Sequence, residues 1–184
     1  MNKRTRELVL AAILTALSIL ITYSPLKVPV PYTTVTLGSH IPTLISMFIS
    51  PWVVIMTVIG SCIGFAMVIP YPTTIVVVAR AATHLLFALV GYKMISERKA
   101  NIFLTILITA ILHTLTESAA FFFLAPMFMP DKAGLYGTYI TAASTIVHHF
   151  IDFAVTIPIA IALGKAKVIP NVSKLFKPRR KTHA

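Results

Sequence analysis

The chain has 184 residues, of which 57% are hydrophobic and 11% are charged, and its mean hydropathy is +0.88. A soluble domain usually carries about 25% charged residues, so the composition excludes one and indicates an integral membrane protein. The formal net charge of +11 would suit a nucleic-acid-binding protein, but the positions of the basic residues follow membrane topology, and no nucleic-acid partner is expected. The single cysteine, Cys62, excludes a disulfide framework and a CxxC metal site.

Proline, glycine and charged residues divide the chain into six apolar segments, each close to the length of a transmembrane helix. The predicted spans cover residues 8–23, 35–50, 52–69, 74–95, 101–124 and 139–164. The sequence therefore predicts an all-α integral membrane protein with six transmembrane helices. A single six-helix domain would cover residues 1–164, and a basic cytoplasmic tail would cover residues 165–184.

Lys and Arg residues concentrate on one side of these spans. Three precede the first span, three lie at the end of the fourth span or between it and the fifth, and seven follow the sixth, whereas the opposite side carries Lys27 and Lys132. Because cytoplasmic segments of membrane proteins carry an excess of Lys and Arg, both termini are predicted to be cytoplasmic. The lipid bilayer of a cell membrane is the expected location.

The connection after the first span is rich in proline. Pro25, Pro29 and Pro31 favour an extended, semi-rigid conformation. Tyr23 and Tyr32 offer aromatic lining in the same segment. We expect this connection to cover the outer side of a cavity, although a plain solvated connector is the alternative.

Eight ionisable residues interrupt the apolar segments. They are His40, Arg80, His84, His113, Glu117, His148, His149 and Asp152. A charge at membrane depth costs about 3 kcal/mol or more and usually faces a cavity or a partner. The set therefore indicates a polar pocket inside the membrane.

Six of the eight form pairs four residues apart, a spacing that puts both members on one face of a helix. The pairs are Arg80 with His84, His113 with Glu117, and His148 with Asp152. With a rise of about 1.5 Å per residue, these pairs and His40 fall in the outer half of the bilayer or close to its midplane. We expect them to converge on one dead-end pocket that opens outward, with only one of the adjacent His148 and His149 facing it.

The residue types indicate the kind of ligand. The fixed fork of an arginine suits a carboxylate, and neutral imidazoles hydrogen-bond to a heteroaromatic ring. A small anionic aromatic acid would therefore fit beside Arg80. Glu117 and Asp152 would orient the histidines, or balance Arg80 when the pocket is empty.

Three other interpretations remain open. The ion pairs could merely hold helices together, or the chain could be a proton-coupled carrier that acts alone. The third is an intramembrane metalloenzyme, because His-x3-Glu and His-His-x2-Asp place ligands on one helical face. No HExxH motif appears and Arg80 would repel a cation, so neither a metal nor an enzymatic activity is expected.

Two patterns of small residues suit close helix contact. Ala12 with Ala16 and Gly60 with Gly64 both follow the small-xxx-small pattern, and we assign both to partner docking, with internal packing as the alternative. The sequence has no nucleotide-binding motif. Active transport by this chain would therefore take its energy from a partner.

With its size, six spans, basic ends, proline-rich first outer connection and alanines at 12 and 16, the chain resembles the substrate-binding S component of energy-coupling factor (ECF) vitamin transporters. The resemblance implies that Ala12 and Ala16 contact a transmembrane coupling subunit and that the first outer connection gates the site. It also implies that two partner ATPases use ATP, that this chain holds no cofactor, and that it resides in a prokaryotic plasma membrane.

Residues 37–42, 48–51 and 79–84 resemble the niacin-type branch of that family. This resemblance implies nicotinate, a pyridine carboxylate, as the substrate, with Arg80 on the carboxylate. His84, His113 and His148 would engage or orient the ring, and Tyr23, Tyr32 and His40 would close the outer side. Pantothenate, a folate or a thiamine precursor are the alternative vitamins.

Overall fold

Helices dominate the protein, as predicted. The structure is a computed structural model that describes residues 2–24, 27–30, 33–36, 38–97, 100–169 and 172. The elements in these residues are α1 (Lys3–Thr22), β1 (Lys27–Val30), β2 (Thr33–Thr36), α2 (Ile41–Ser46), α3 (Pro51–Val68), α4 (Thr73–Tyr92), α5 (Ile102–Phe128) and α6 (Leu135–Lys165). A π-helical turn, Lys93–Glu97, continues α4, and a 3-10 turn, Pro130–Lys132, precedes α6.

Five of the six helices in the described residues are long and apolar enough to cross a membrane, namely α1, α3, α4 with its π-helical turn, α5 and α6. This confirms the membrane class and the multi-pass arrangement. The second helix differs from the predicted span over residues 35–50. At six residues, α2 is about 9 Å long, which is too short to cross a membrane by itself.

The reason for this difference lies at both ends of α2. Gly38 has a φ of +80°, a left-handed conformation that interrupts a continuous helix. The helix begins only at Ile41, with Pro42 in its first turn, where proline is tolerated. After a turn, Ser50 is extended, as expected of a residue before proline, and its hydroxyl caps α3 by accepting from the Val53 N–H.

A short β-hairpin occupies the proline-rich connection. β1 and β2 pair antiparallel, with Lys27 opposite Thr36 and Val30 opposite Thr33. The described part of this connection is therefore extended, as its prolines predicted. Tyr32 lies outside the described residues, so its predicted role stays a prediction.

Two glycines of α3 determine how it lies against α1. A Cβ atom on Gly60 would come within 2.8 Å of Thr15, and one on Gly64 within 2.7 Å of the Thr22 hydroxyl. Because residue numbers rise in the same sense along both contacts, α1 and α3 run parallel. The segment between them, which includes α2, therefore leads back from the end of α1 towards its beginning.

The residues predicted to dock a partner divide into two groups. Gly60 and Gly64 are buried against α1, so an internal contact accounts for both, and we do not retain them as docking residues. Their missing side chains allow the two backbones to approach closely. Ala12 and Ala16 are exposed on a different face of α1.

The last three helices form an antiparallel series. Between α4 and α5, Arg80 contacts Glu117 and Gly91 lies against Thr109, so the residue numbers run in opposite senses. The same holds between α5 and α6, where Thr109 contacts His149 and Glu117 contacts Thr145. With α1 parallel to α3, α1 begins at the same end of the bundle as α6 ends. The cytoplasmic orientation of that end stays a prediction.

The apolar core has two parts in the described residues. The larger cluster surrounds α2 and includes Leu44, Phe48, Phe87 and Phe153. The smaller includes Val76, Phe121 and Ala125 near the opposite ends of α4 and α5. The ionisable side chains lie between these two clusters, so apolar packing above and below shields them from water.

Candidate functional site

All eight ionisable residues predicted from the sequence are buried, and most contact one another in one layer across the bundle. Arg80 has the largest exposed fraction of the eight, at 9%. Counted from the beginning of α4, Arg80 and His84 lie roughly 10 and 16 Å along the helix axis. The ionisable stripes of α4, α5 and α6 face the interior of the bundle and meet there. We call the eight ionisable residues, together with Thr109 and Thr145, the polar layer.

Glu117 joins three helices within the polar layer. Its Oε2 accepts hydrogen bonds from Arg80 Nη2 at 2.7 Å and from the Thr145 hydroxyl at 2.7 Å. Its Oε1 lies 2.8 Å from His84 Nε2 and 3.5 Å from His113 Nε2. A buried carboxylate needs such pairing, and this one, on α5, obtains its hydrogen bonds from α4 and α6.

Asp152 connects α6 to the backbone that precedes α2. Its Oδ1 accepts from the Gly38 N–H at 3.0 Å. Its Oδ2 lies 2.9 Å from His40 Nδ1 and accepts a longer bond from the His40 N–H at 3.4 Å. The left-handed turn at Gly38 thus directs both the local backbone and the His40 ring towards one carboxylate.

The histidine rings contact one another between these two carboxylates. His40 Nε2 lies 3.3 Å from His84 Nε2, and the His40 ring stacks on His148 with centroids 4.7 Å apart. His113 Nδ1 lies 2.9 Å from His149 Nδ1. His148 Nδ1 also donates to the Ser144 carbonyl oxygen at 2.7 Å.

The expectation that only one of His148 and His149 faces the site is wrong. His148 stacks on His40, whereas His149 reaches His113 and, through Nε2 at 3.2 Å, the Thr109 hydroxyl. Adjacent residues differ by about 100° around a helix. Both rings can belong to the polar layer because residues that contact them lie around that whole part of the α6 surface.

Sequence reasoning missed two hydroxyl groups. Thr109 lies four residues before His113, and Thr145 lies four residues before His149. The same four-residue spacing that identified the ionisable pairs would have found both, had hydroxyl side chains been included. Tyr23, predicted to line the outer side, has 52% of its surface exposed at the end of α1 and stays outside the polar layer.

The polar layer can hold either a small polar ligand or a cation. The guanidinium and the imidazole N–H groups donate hydrogen bonds, whereas the carboxylates and the bare imidazole nitrogens accept them or bind a metal. The surrounding apolar clusters make every unpaired polar atom in the layer costly. The arrangement is thus suited to selective binding inside the membrane.

Comparisons with known proteins identify a relative. No family model matches the chain, and no solved structure matches it. The chain is 32% identical over 173 residues to the niacin transporter NiaX of Lactococcus lactis subsp. cremoris (strain MG1363), an alignment that covers 89% of this chain and 77% of NiaX. This multi-pass membrane protein therefore belongs to the family of the niacin transporter NiaX, which is a family of transporters and not of enzymes.

Proposed function

We propose that this chain binds nicotinate in the polar layer and serves as the substrate-binding subunit of an ECF transporter in a prokaryotic plasma membrane. The observation that carries the proposal is the relationship to NiaX, at 32% identity over 89% of the chain. The composition of the layer supports it, because one guanidinium lies among five buried imidazoles. These groups match a pyridine ring that bears a carboxylate.

In this proposal Arg80 binds the ligand carboxylate. The guanidinium has five N–H donors, so the ligand would share it with Glu117, which Nη2 already contacts. Arg80 is also the most exposed member of the layer, which favours it as the first group that an entering anion meets.

The imidazoles would bind the pyridine ring. The stacked pair of His40 and His148 supports this role, because the same packing suits another planar ring of similar size. His84 and His113 would donate to or accept from the ring edge. Glu117 and Asp152 would hold His84 and His40 in place through the contacts already described.

The energy for uptake would come from partners. We propose that a transmembrane coupling subunit docks on α1 and that two ATPases use ATP. The exposed position of Ala12 and Ala16 supports such docking, and exposed Leu8, Ile13 and Leu20 extend the same apolar surface. Small residues among larger ones let a partner helix approach closely.

The test measures vitamin binding to the purified chain in detergent or nanodiscs by isothermal titration calorimetry, without ATP. We expect saturable nicotinate binding that pantothenate, a folate and a thiamine precursor do not reproduce. Tight binding of one of those vitamins, without nicotinate binding, would mean that the substrate is that vitamin and not nicotinate. Uptake into vesicles should require the coupling subunits and ATP, and pH-driven uptake by this chain alone would contradict the assignment as an S component.

A further inference from the structure

The centre of the polar layer brings four potential metal ligands together. His40, His84, His113 and Glu117 each offer one nitrogen or oxygen atom, and these atoms all lie within 4.8 Å of one another. We propose that these four side chains form a binding site for a divalent first-row transition metal, with Zn²⁺ as the best fit. The site depends only on these side chains, and not on which vitamin the protein carries.

The separations suit a tetrahedral site. His40 Nε2 to His84 Nε2 is 3.3 Å, His84 Nε2 to Glu117 Oε1 is 2.8 Å, and His113 Nε2 to Glu117 Oε1 is 3.5 Å. Four ligands at the usual zinc distances of 2.0–2.1 Å would lie about 3.3 Å apart. Small side-chain adjustments therefore suffice to surround an ion.

The hydrogen-bond chain behind His113 directs a lone pair into this centre. The Thr109 hydroxyl donates to the Thr105 carbonyl at 2.7 Å, which leaves its oxygen to accept from His149 Nε2 at 3.2 Å in the tautomer that carries its proton on that nitrogen. With neutral rings, His149 Nδ1 must then accept the proton of His113 Nδ1. His113 Nε2 keeps a bare lone pair, and this fully buried atom has no hydrogen-bond partner among the described residues.

That lone pair faces Glu117 Oε1 at 3.5 Å. Both atoms are acceptors, and no proton is available between them in this arrangement. Two buried acceptors that face each other are unfavourable unless a cation or a donor lies between them. A metal ion bound to both atoms removes this conflict.

The other two histidines are prepared in a similar way. His40 Nδ1 donates to Asp152, which leaves His40 Nε2 bare and repeats the carboxylate–histidine–metal arrangement of known metal sites. His84 Nε2 donates to Glu117, and its buried Nδ1 has no partner in the described part of the chain. Moving one proton from Nε2 to Nδ1 of His84 changes the tautomer, conserves the proton count and frees Nε2 for the metal.

Charge favours a cation despite Arg80. Arg80 contributes one positive charge, whereas Glu117 and Asp152 contribute two negative ones, so with neutral histidines the layer carries a net charge of minus one. Arg80 is bound to the outer oxygen of Glu117, as is Thr145, and both leave Oε1 facing the centre. A divalent ion would make the layer net positive and would strengthen carboxylate binding, a consequence that rests on the proposed function.

The first experiment uses wild-type protein prepared without a polyhistidine tag and stripped with EDTA. We expect it to bind one Co²⁺ per chain with the intense visible absorption of tetrahedral cobalt, and Zn²⁺ to displace the Co²⁺. Plasma mass spectrometry after desalting measures the bound metal. Metal lost on desalting, or only the weak absorption of octahedral cobalt, would overturn the proposal.

Variants identify the ligands. His113→Ala should abolish tight binding, and Asp152→Asn should weaken it by about 10-fold to 100-fold through the orientation of His40. The control is His183→Ala, which removes the one histidine outside the layer and should leave metal affinity unchanged. Wild-type affinity in folded His113→Ala would overturn the site, and if that variant does not fold, His84→Gln and the wild-type cobalt spectrum decide.

Nicotinate binding is measured on the same samples with and without Zn²⁺. Metal binding without nicotinate binding supports the metal site and contradicts the proposed substrate. Nicotinate binding by a protein that takes up no metal supports the substrate and overturns the metal site. The two proposals therefore fail separately.

Discussion

Arg80 and Glu117 depend on each other. Their 2.7 Å ion pair is almost fully buried, with side-chain exposures of 11% and 5%. Removing one partner of such a pair leaves an uncompensated charge and typically costs about 3–5 kcal/mol of stability. Substitutions of either residue therefore need a stability measurement beside the functional one.

Arg80→Ala should lower the affinity for nicotinate by about 2 to 5 kcal/mol, because the ligand carboxylate loses its charged partner in a site shielded from water. Nicotinamide, which has no carboxylate charge, should lose less. Calorimetric titration of both ligands measures the difference, and thermal unfolding in detergent checks that the variant is folded.

Two companion variants control this prediction. Arg80→Lys keeps the charge without the planar fork, so its affinity should fall between those of the wild type and Arg80→Ala. Lys132→Ala removes an exposed basic residue from the connection before α6 and should change nothing. Unchanged nicotinate affinity in folded Arg80→Ala would place the carboxylate elsewhere.

Small residues lie at two different faces of helix α1. One face lies against α3, where Gly60 and Gly64 leave room for the α1 backbone. Another face carries exposed Ala12 and Ala16. The two faces can therefore be tested by matched substitutions.

Gly60→Val should lower stability by about 1–3 kcal/mol or more, because the added side chain would overlap Thr15, including its backbone oxygen. Ala12→Val should leave both stability and nicotinate binding unchanged but weaken co-purification with the coupling subunit. Thermal unfolding and pull-down of the assembled transporter measure the two effects. Equal destabilisation by both variants would mean that Ala12 lies in an internal contact.

The course of the chain through the bundle follows from the parallel α1 and α3. Although α2 is too short to cross a membrane, the segment that contains it returns from one end of α1 to the other. The polypeptide therefore passes from one end of the bundle to the other an even number of times. This is why α1 begins where α6 ends.

Cysteine labelling tests this topology and its orientation. In a Cys62→Ser background, Lys3→Cys and Ala166→Cys should be protected from a membrane-impermeant maleimide in intact cells, whereas Asp131→Cys should react. The reason is that Lys3 and Ala166 lie at the basic end of the bundle and exposed Asp131 at the other. Reaction of Lys3→Cys and Ala166→Cys from opposite sides would contradict the arrangement.

The sequence predicted the helices and the assembly of the polar layer because burial of charge in a membrane leaves few solutions. Stripes such as Arg80 with His84 must face protein, and one shared layer satisfies them all. The sequence did not reveal α2, because an apolar window describes a short helix with its turns as well as a full span. Gly38 and Pro42 were the only signs of the interruption in this window. Such irregular backbone is tolerated at membrane depth where protein covers it.

The contacts between helices were harder to predict. The small-xxx-small pattern at Gly60 and Gly64 shows that some helix approaches closely, but not which one. Similarly, the orientation of His149 depends on Thr109 and His113, which reach it from another helix. Such pairings depend on three-dimensional packing, which no local spacing encodes.

The ion pair between α4 and α5 also constrains how the ribosome and translocon build this protein. Arg80 is synthesised 37 residues before Glu117, and an arginine at the centre of a lone helix costs about 3 kcal/mol to insert. The carboxylate that neutralises Arg80 follows only in the next helix, α5. Insertion of α4 and α5 together as a hairpin therefore removes that cost. Asp152 follows His40 by 112 residues, so the polar layer can be complete only after α6, the last helix, has been inserted.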